Sequence, residues 1–344
     1  MSRVYLDHNA TTPLRPEARQ AMAAAMEVVG NPSSVHAEGR AAKAMLEQAR
    51  GDLADALGAG NADIVFTSGA TEAAALALAG RGLQASGLEH SAVAAWVRPD
   101  LQVIEGRVQV DDPARACVQL ANAETGILQD LPKGLAVSDI TQGFAKVPFS
   151  YAWSGVEMVF LSAHKFGGPK GVGALVLPQG HDLAAQLRGG GQEMGRRSGT
   201  ENLIGISAMA AAAKAAQSDL ANGLWEPVAE LRNSMEAAIA AAAPETTWVG
   251  QAFPRLPNTS CFLTPGWKGE TQVMAMDLAG FAVSAGSACS SGKVKASPVM
   301  EALGLRGAET GCVLRVSLGI TTTREDVMRF AESWIAKRGR ARAA

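Results

Sequence analysis

A lysine lies at the junction of two contrasting segments, an apolar strand-like run over residues 158–161 and a glycine-dense run over 167–173. Lys165 ends the Ser-Ala-His-Lys motif that joins them. Glycines let the chain turn sharply and let its backbone approach a bound group closely. A lysine held at such a junction is well placed to form a Schiff base with a cofactor aldehyde. This segment alone supports that role no better than the role of a solvated surface lysine.

Three further motifs offer groups that such a cofactor would need. The turn over 67–71 joins a strand to a helix, and a helix N-terminus attracts phosphate, to which Thr71 adds a hydroxyl. Asp139 follows an apolar strand and can either pair with a protonated pyridine nitrogen or cap a helix. His90 can stack on a flat ring, move protons or form a structural hydrogen bond.

One cysteine differs in context from the others. Cys289 lies in a segment of small residues, 282–293, whereas Cys117 and Cys261 lie in apolar strand patterns. We therefore expect Cys289 to be accessible and the other two to be buried and inert. Without a cofactor nearby Cys289 would be incidental; beside one it becomes a candidate nucleophile. The glycine-rich segment 189–200 is interpreted as a loop that contacts phosphate, another subunit or only solvent.

Alternating patterns predict the elements that hold these residues. Helices are predicted over 13–29, 34–57, 73–79, 202–216, 227–243 and 324–337, and strands over 63–67, 102–104, 116–120, 135–137, 158–161 and 173–177. This alternation indicates an α/β fold with a mostly parallel sheet covered by helices. Short strands and loops after about residue 246 indicate a smaller α+β domain. We expect a large domain over 14–220 and a small domain over 1–13 and 221–344.

The overall composition excludes several classes of protein. The chain has 344 residues, 47% hydrophobic and 19% charged, and a net charge of −2, which points to neither a nucleic-acid-binding nor a membrane-surface protein. It has neither the apolar run of about 18 residues that a membrane span needs nor an N-terminal signal sequence, so we expect a cytoplasmic protein. The four cysteines are widely separated, which argues against a disulfide framework and against a zinc or other metal site.

Together these motifs resemble those of a cysteine desulfurase of the NifS/IscS kind, in the class V aminotransferase group of fold-type I pyridoxal-phosphate enzymes. The resemblance covers nearly the whole chain and is carried by segments 5–13, 30–34, 67–72, 162–165, 197–200 and 314–319. It implies a homodimer that uses pyridoxal 5'-phosphate (PLP), takes sulfur from L-cysteine and passes it to an unidentified acceptor protein. The length of the segment around Cys289 matches the long-loop group, which implies cysteine rather than selenocysteine as substrate.

The resemblance also implies a role for each matching residue. Lys165 would hold PLP covalently and remove the Cα proton, Cys289 would keep the sulfur as a persulfide, and His90 would stack on the ring and manage the thiol protons. The remaining residues would contact the phosphate (Ala70, Thr71, Ser162 and His164, with Thr200 reaching the phosphate of the neighbouring subunit), the ring (Asp139 and Gln142) and the substrate (Arg315 on its α-carboxylate, with Asn31 in the same pocket).

The chain departs from the family pattern at one notable position. Ala123 precedes Glu-Thr-Gly where the family usually has the second of two asparagines. Alanine cannot donate a hydrogen bond to the ring oxygen, so we expect altered protonation of the lysine-bound cofactor and weaker activity or a changed substrate preference.

Other departures leave alternatives open. The segments before Asn122 and before Asp139 are shorter than usual, so a peripheral helix should be trimmed. The chain also lacks a long C-terminal tail, so docking to an iron–sulfur scaffold protein is in doubt. The alternatives are a selenocysteine lyase, another PLP enzyme of the class V aminotransferase type, and a weakened homologue with a binding role. The identity of the sulfur acceptor would decide whether the protein serves iron–sulfur cluster assembly or another sulfur-trafficking route.

Overall fold

The computed structural model describes residues 3–286 and 297–343, with side chains as far as residue 339, so that Cys289 lies outside the described residues. The helices of the described part are α1 (Pro16–Met26), α2 (Ala37–Leu57), α3 (Ala70–Leu78), α4 (Ser91–Ala94), α5 (Tyr151–Ser154), α6 (Leu203–Ala221), α7 (Trp225–Ala242), α8 (Gly269–Leu278), α9 (Pro298–Ala302) and α10 (Arg324–Ala343). Its strands are β1 (Val4–Tyr5), β2 (Ala62–Thr67), β3 (Val103–Ile104), β4 (Arg107–Val108), β5 (Val137–Asp139), β6 (Met158–Ser162), β7 (Gly173–Pro178), β8 (Thr247–Trp248), β9 (Thr259–Leu263), β10 (Phe281–Ala282), β11 (Ser284–Ala285) and β12 (Val313–Ser317).

The larger sheet has the strand order β2-β7-β6-β5. Strands β5 and β6 are parallel, whereas β7 runs antiparallel to both of its neighbours. Strands β2, β6 and β5 therefore share one direction, and β7 alone among the four is reversed. Isolated parallel bridges, such as Cys117 to Val137, continue the sheet beyond β5. The predicted α/β class is confirmed, with a sheet that is mixed because of β7.

Helices cover both faces of this sheet, which explains its apolar strands. Every residue of β6 is buried, as are the first five residues of β7. Helices α1 and α2 pack against α6, and their buried residues share one core cluster with Phe144, Val159 and Leu161. Helix α3 contributes to a second cluster with Phe160 and Leu175. A strand buried on both faces gains stability from an unbroken apolar run rather than from alternation.

A second sheet, with the order β11-β12-β9-β8, is antiparallel throughout. Helix α10 packs against α7 and α8, and a third core cluster gathers residues of these elements around Trp334 and Phe262. Strand β1 pairs with β10, so the N-terminus of the chain joins this second group of elements. That distribution supports a small domain made of 1–13 and 221–344, although the exact bounds stay a prediction.

Some details differ from the predicted elements. Residues 116–120, predicted as a strand, form isolated bridges at Ala116 and Cys117 instead. Residues 103–104 pair only with β4 in a small hairpin rather than entering the large sheet. Helix α3 begins at Ala70, three residues before the predicted start, so that Ala70 and Thr71 lie in its first turn. Among the described helices, none combines the length and apolar character needed to cross a bilayer.

Trp334 offers a test of the second core. Its ring is fully buried, lies 5.5 Å from Phe262 and 5.4 Å from Trp267 between ring centroids, and donates Nε1–H to Gln272 Oε1 at 3.0 Å. We expect Trp334→Ala to lower the free energy of unfolding by about 3–5 kcal/mol, because it leaves a cavity and an unpaired amide oxygen. Trp334→Phe, which keeps an aromatic ring, should cost clearly less. Urea unfolding of both variants checks this, and equal losses would contradict it.

Candidate active site

The ends of two strands and the start of a third form a narrow cup. Gly173 begins β7 and pairs with Thr67 at the end of β2 and with Ser162 at the end of β6. A Cβ atom at Gly173 would lie 2.6 Å from the carbonyl carbon of Gly69, so only glycine allows this close approach. Gly69 precedes α3 and offers no side-chain cap. The first N–H groups of α3 therefore face the cup without partners inside the helix.

The glycine-rich segment over 189–200 is tied to this cup. Arg197 Nε donates to Glu72 Oε1 at 2.8 Å, and Glu72 Oε2 accepts from the backbone N–H of Ser68 at 2.7 Å. Glu72 lies in the first turn of α3, so the ion pair anchors the segment beside the helix N-terminus. This contact favours the functional interpretation of the segment over that of a loop surrounded only by solvent.

Lys165 ends a short 3₁₀ turn, Ala163–Lys165, that follows β6. Its Nζ donates to the carbonyl oxygens of Asn9 at 2.6 Å and Ala10 at 2.9 Å. Its own carbonyl accepts from Thr12 Oγ1 at 3.1 Å. The N-terminal segment of the chain therefore sets the position of the lysine.

His164, the neighbour of Lys165, is held by the same N-terminal segment. Its Nδ1 lies 3.2 Å from Thr11 Oγ1. Burial, assisted by the positive charges of Lys165 and Lys170, lowers the pKa of His164 to about 4. The ring is therefore neutral at neutral pH and can take part in hydrogen bonds without carrying a charge.

Asp139 lies at the end of β5, buried at the edge of the large sheet. Its Oδ1 accepts from the N–H of Thr141 at 2.8 Å, and no helix of the described part starts there, so the alternative of a helix cap is not realised. Burial raises the pKa of Asp139, and the nearby positive charges of His90 and Lys165 oppose that rise. His90 caps α4 by accepting from the N–H of Ala92 at 3.1 Å.

Gln142 connects this group to the N-terminal segment. Its Nε2 donates to the carbonyl oxygen of Asn9 at 2.9 Å, the same atom that accepts from Lys165 Nζ. Its Oε1 accepts from Lys146 Nζ at 3.1 Å. Both side chains are buried.

Arg315 reaches the site from the second sheet, where it lies in the middle of β12. Its Nη2 donates to Asp7 Oδ1 at 2.8 Å and its Nη1 to the carbonyl oxygen of Ala123 at 3.2 Å. Asp7 Oδ2 accepts in turn from Ser284 Oγ at 2.9 Å. Arg315 thus forms a structural ion pair with Asp7, yet its buried Nε has no acceptor among the described residues.

Not all predicted residues come together in the described part of one chain. Lys165, Asp139, His90, Gln142, His164, Ser162 and Arg315 surround the strand ends, whereas Thr71, Asn31 and Thr200 are exposed. The Asn31 side chain accepts from the N–H of Ser33 at 2.9 Å. No hydrogen bond of the described residues joins the side chains of Asn31 and Thr200 to Lys165 or its neighbours. Their roles, like that of Cys289, stay predictions.

Sequence reasoning missed several polar residues of the site. Asn9 and Lys146 received no role, and neither did Asp7 or Glu124. Asn9 donates from Nδ2 to Ala123 O at 3.1 Å and to Thr259 Oγ1 at 2.9 Å, so it joins three distant parts of the chain. The available signal was the run of polar residues after β1, a strand of only two residues.

Glu124 lies between the two described ends that flank residues 287–296. Its Oε2 accepts from Ser297 Oγ at 2.7 Å and lies 3.1 Å from where a Cβ atom at Gly286 would be. Burial raises the pKa of Glu124 to about 7, against the hydrogen bond from Ser297 and the positive charges of Arg315 and His90. Near neutral pH this carboxyl can therefore exist in both protonation states.

The side chains around Lys165 fit a cofactor that carries a phosphate, an aldehyde and a ring nitrogen. The uncapped N-terminus of α3 and the Ser162 hydroxyl, 3.7 Å from a Cβ position at Gly69, form a cradle for an anion. Lys165 supplies an amine, and Asp139 supplies a buried carboxylate that a protonated ring nitrogen would stabilise. Nothing in this donor set conflicts with such a group.

Comparison with known proteins agrees with this geometry. Residues 4–98 and 97–330 match the model of the family described as aminotransferase class-V. A cysteine desulfurase of Cereibacter sphaeroides is 38% identical, covering 96% of this chain and 95% of the relative. An IscS-like cysteine desulfurase of Mycobacterium tuberculosis is 33% identical, covering 94% of this chain and 93% of the relative. The structure of a NifS-like protein from Rickettsia africae superimposes with a TM-score of 0.87 at 27% identity, covering 97% of this chain and 99% of that one.

The partly buried carboxyl of Glu124 should make stability depend on pH. In the unfolded chain it ionises near its usual pKa of 4.5, but in the folded protein only near 7. The stability that the protonated carboxyl contributes is therefore complete below about pH 4.5 and is lost as the pH rises through about 7. We expect Glu124→Gln to remove a decline on the order of 2–3 kcal/mol between pH 5 and pH 8.

Urea unfolding of both proteins at the two pH values measures this difference. Glu17→Gln, which changes an exposed carboxyl in α1, is the matched control and should decline as the wild type does. If Glu124→Gln also declines like the wild type, the carboxyl of Glu124 is not the group responsible.

Proposed function

Since the chain belongs to the aminotransferase class-V family and, within it, to the cysteine desulfurases, we propose that it removes sulfur from L-cysteine with bound PLP. The products are L-alanine and a persulfide on Cys289. The observation that carries the proposal is the placement of Asp139 at the end of β5 and of Lys165 just after the neighbouring parallel strand β6, with His90 near enough to act on the Asp139 carboxyl. That grouping combines an amine, an acid and an imidazole at the edge of the large sheet, where α/β folds bind ligands.

The cofactor would be held by residues of the cup and of the sheet edge. The first turn of α3, with Ala70 and Thr71, would bind the phosphate together with Ser162 and His164. Lys165 would form the covalent link, and Asp139 would pair with the ring nitrogen. When bound, PLP withdraws electrons from the substrate Cα, which makes its proton and its substituents easier to remove.

Arg315 would bind the substrate carboxylate. Its guanidinium is already fixed in direction by Asp7 and by the carbonyl of Ala123, so little rotamer freedom remains to be lost on binding. The unpaired Nε supplies a donor that a carboxylate can accept, and Arg–carboxylate pairing favours two parallel hydrogen bonds. Asn31 would line the same pocket.

Cys289 is proposed as the nucleophile. Its thiolate would attack the substrate sulfur, forming an S–S bond while the C–S bond breaks and its electron pair passes to the carbon side. His90 would take and return the thiol proton. The three described cysteines suit this role poorly, because Cys117, Cys261 and Cys312 are all buried and burial raises the pKa of Cys117 and Cys261 strongly.

The proposed assembly is a homodimer that passes sulfur on. Thr200 is exposed at the end of the segment that Arg197 anchors beside the cup, so a second subunit could receive its hydroxyl. The persulfide would be transferred to an acceptor protein whose identity the chain does not specify. We propose that this takes place in the cytoplasm, where thiols stay reduced.

The direct test is to supply L-cysteine and a thiol reductant to the PLP-loaded protein. We expect alanine and sulfide in equal amounts from the wild type. Cys289→Ser should keep the bound cofactor but lose sulfide production by a factor of about 1000 or more, because the nucleophile is gone. Cys312→Ser is the matched control, since its hydroxyl can replace the contact of Sγ with the carbonyl of Ala308.

Sulfide production by Cys289→Ser at the wild-type rate would overturn the role of that cysteine. The same assay separates the alternatives. A selenocysteine lyase would release selenide from selenocysteine and leave L-cysteine intact, and an aminotransferase would form a keto acid without needing Cys289 at all.

Ala123 leads to a second prediction about the cofactor. Ala123→Asn restores a side-chain donor where the family has one, and a donor to the ring oxygen stabilises its negative charge. That weakens the attraction of the oxygen for the proton on the lysine-linked nitrogen. The pKa read from the visible absorbance should therefore fall by about one unit.

A pH titration of the visible absorbance checks the Ala123→Asn prediction. Ala123→Leu adds bulk without a donor and is the matched control. An unchanged titration midpoint in Ala123→Asn would contradict the expectation.

A further inference from the structure

The ammonium group of Lys146 has an unusual position for a charge. The residue is buried, with 4% of its surface exposed. Its Nζ donates to Gln142 Oε1 at 3.1 Å. Among the described residues no carboxylate forms an ion pair with it. A buried charge normally has an opposite charge beside it.

The neighbours of Lys146 make its charge costly. Burial lowers the pKa of Lys146 to about 7, and the positive charges of Lys165 and Arg315 contribute to that fall. The charge of Lys146 in turn helps burial to lower the pKa of His8 to about 4. An apolar side chain of the same length would avoid this repulsion. Packing alone therefore gives no reason for a lysine at this position.

The hydrogen bond to Gln142 offers a reason. A glutamine amide has a donating end and an accepting end, which differ little in shape. The carbonyl of Asn9 can only accept, and the Lys146 ammonium can only donate. Only one orientation of the Gln142 amide satisfies both, with Nε2 toward Asn9 and Oε1 toward Lys146. Asn9 thus holds the N–H end of the Gln142 amide, and Lys146 holds and polarises its carbonyl end.

We infer that Lys146 is a positioning residue, which fixes and polarises the Gln142 amide so that its N–H faces the cofactor's ring oxygen. This inference rests on the proposed function for the identity of the cofactor. The family usually has two side-chain amides that can donate to this oxygen, at positions 123 and 142. Because this chain has alanine at 123, only Gln142 of the two can supply the hydrogen bond. A positive charge at Oε1 also makes the N–H a stronger donor.

The surroundings of Lys146 allow a matched pair of variants. One side of the residue borders a cavity of about 1180 Å³, whose wall also includes Leu120, Val147 and Trp225. The cavity gives room for the longer arginine, which keeps a permanent donor charge at the position. Methionine has nearly the length of lysine but cannot donate. Lys146→Arg and Lys146→Met therefore differ mainly in the group that contacts Gln142.

The first experiment titrates the visible absorbance of the PLP-loaded proteins. Without Lys146 the carbonyl end of the Gln142 amide is neither held nor polarised, so its N–H becomes a less well placed and weaker donor to the ring oxygen. We expect the titration midpoint of Lys146→Met to rise by about one pH unit and its dissociation constant for PLP to rise by about tenfold. Lys146→Arg should stay close to the wild type in both measurements. A midpoint in Lys146→Met equal to that of the wild type would overturn the inference.

The second experiment does not depend on the cofactor. In a crystal structure of cofactor-free Lys146→Met, we expect Gln142 Oε1 to leave its position beside residue 146 and the contact between Gln142 Nε2 and the carbonyl of Asn9 to lengthen, while both stay as in the wild type in Lys146→Arg. An unmoved Gln142 side chain in Lys146→Met would overturn the inference whatever the cofactor does. Failure of the wild type to bind PLP would instead overturn the proposed function and leave this structural result to decide the role of Lys146.

Urea unfolding separates the positioning role from general damage. Because Lys146→Met removes an unpaired buried charge, the variant should be at least as stable as the wild type. One combined result would show a packing role and overturn the positioning role. In that result Lys146→Met is less stable than the wild type, and both Lys146→Met and Lys146→Arg shift the titration midpoint equally.

Discussion

The carbonyl oxygen of Asn9 accepts two hydrogen bonds, from Lys165 Nζ at 2.6 Å and from Gln142 Nε2 at 2.9 Å. The rest of the site depends on this shared acceptor, because the partly buried amine of Lys165 and the buried amide of Gln142 both find a partner there. The Asn9 side chain is equally occupied, since it donates to Ala123 O and to Thr259 Oγ1. Moving Asn9 would therefore disturb the lysine, the amide and the second sheet together.

This arrangement follows from the path of the N-terminal segment. Strand β1 is fixed to β10, and the N–H of His8 donates to the carbonyl of Ser317 at the end of β12. The next residues cross to the large sheet, where the N–H of Thr12 donates to the carbonyl of His164. The chain is packed so closely here that a Cβ atom at Gly319 would lie 2.1 Å from the His8 ring. One short polar segment thus sets the distance between Arg315 and Lys165.

The sequence predicted those parts of the site that follow from local patterns. The apolar runs of β6 and β5 placed Lys165 and Asp139 at strand ends, because strands of one direction end at the same edge of a sheet. The reversal of β7 could not be read from its residues, since a strand buried on both faces is equally apolar in either direction. Asn9 and Lys146 were missed because their partners lie far away in the chain or appear only in three dimensions. Thr200 and Asn31 are exposed in the single chain. Their roles stay predictions, Thr200 at the phosphate of a neighbouring subunit and Asn31 in the pocket of Arg315.

Ala123 serves the scaffold of the site through its backbone and not through its side chain. Its carbonyl accepts from both Asn9 and Arg315, a task that any residue performs, so the scaffold survives the loss of a side-chain amide. The balance of positive and negative side chains in the site is a separate matter. The positive charges of Lys165 and Arg315 act on Lys146. Burial raises the pKa of Glu124 to about 7, so near neutral pH this carboxyl carries only part of a negative charge. A phosphate-bearing cofactor and a carboxylate substrate would add negative charge to the site. That negative charge would offset the repulsion among the three neighbouring cations Lys146, Lys165 and Arg315.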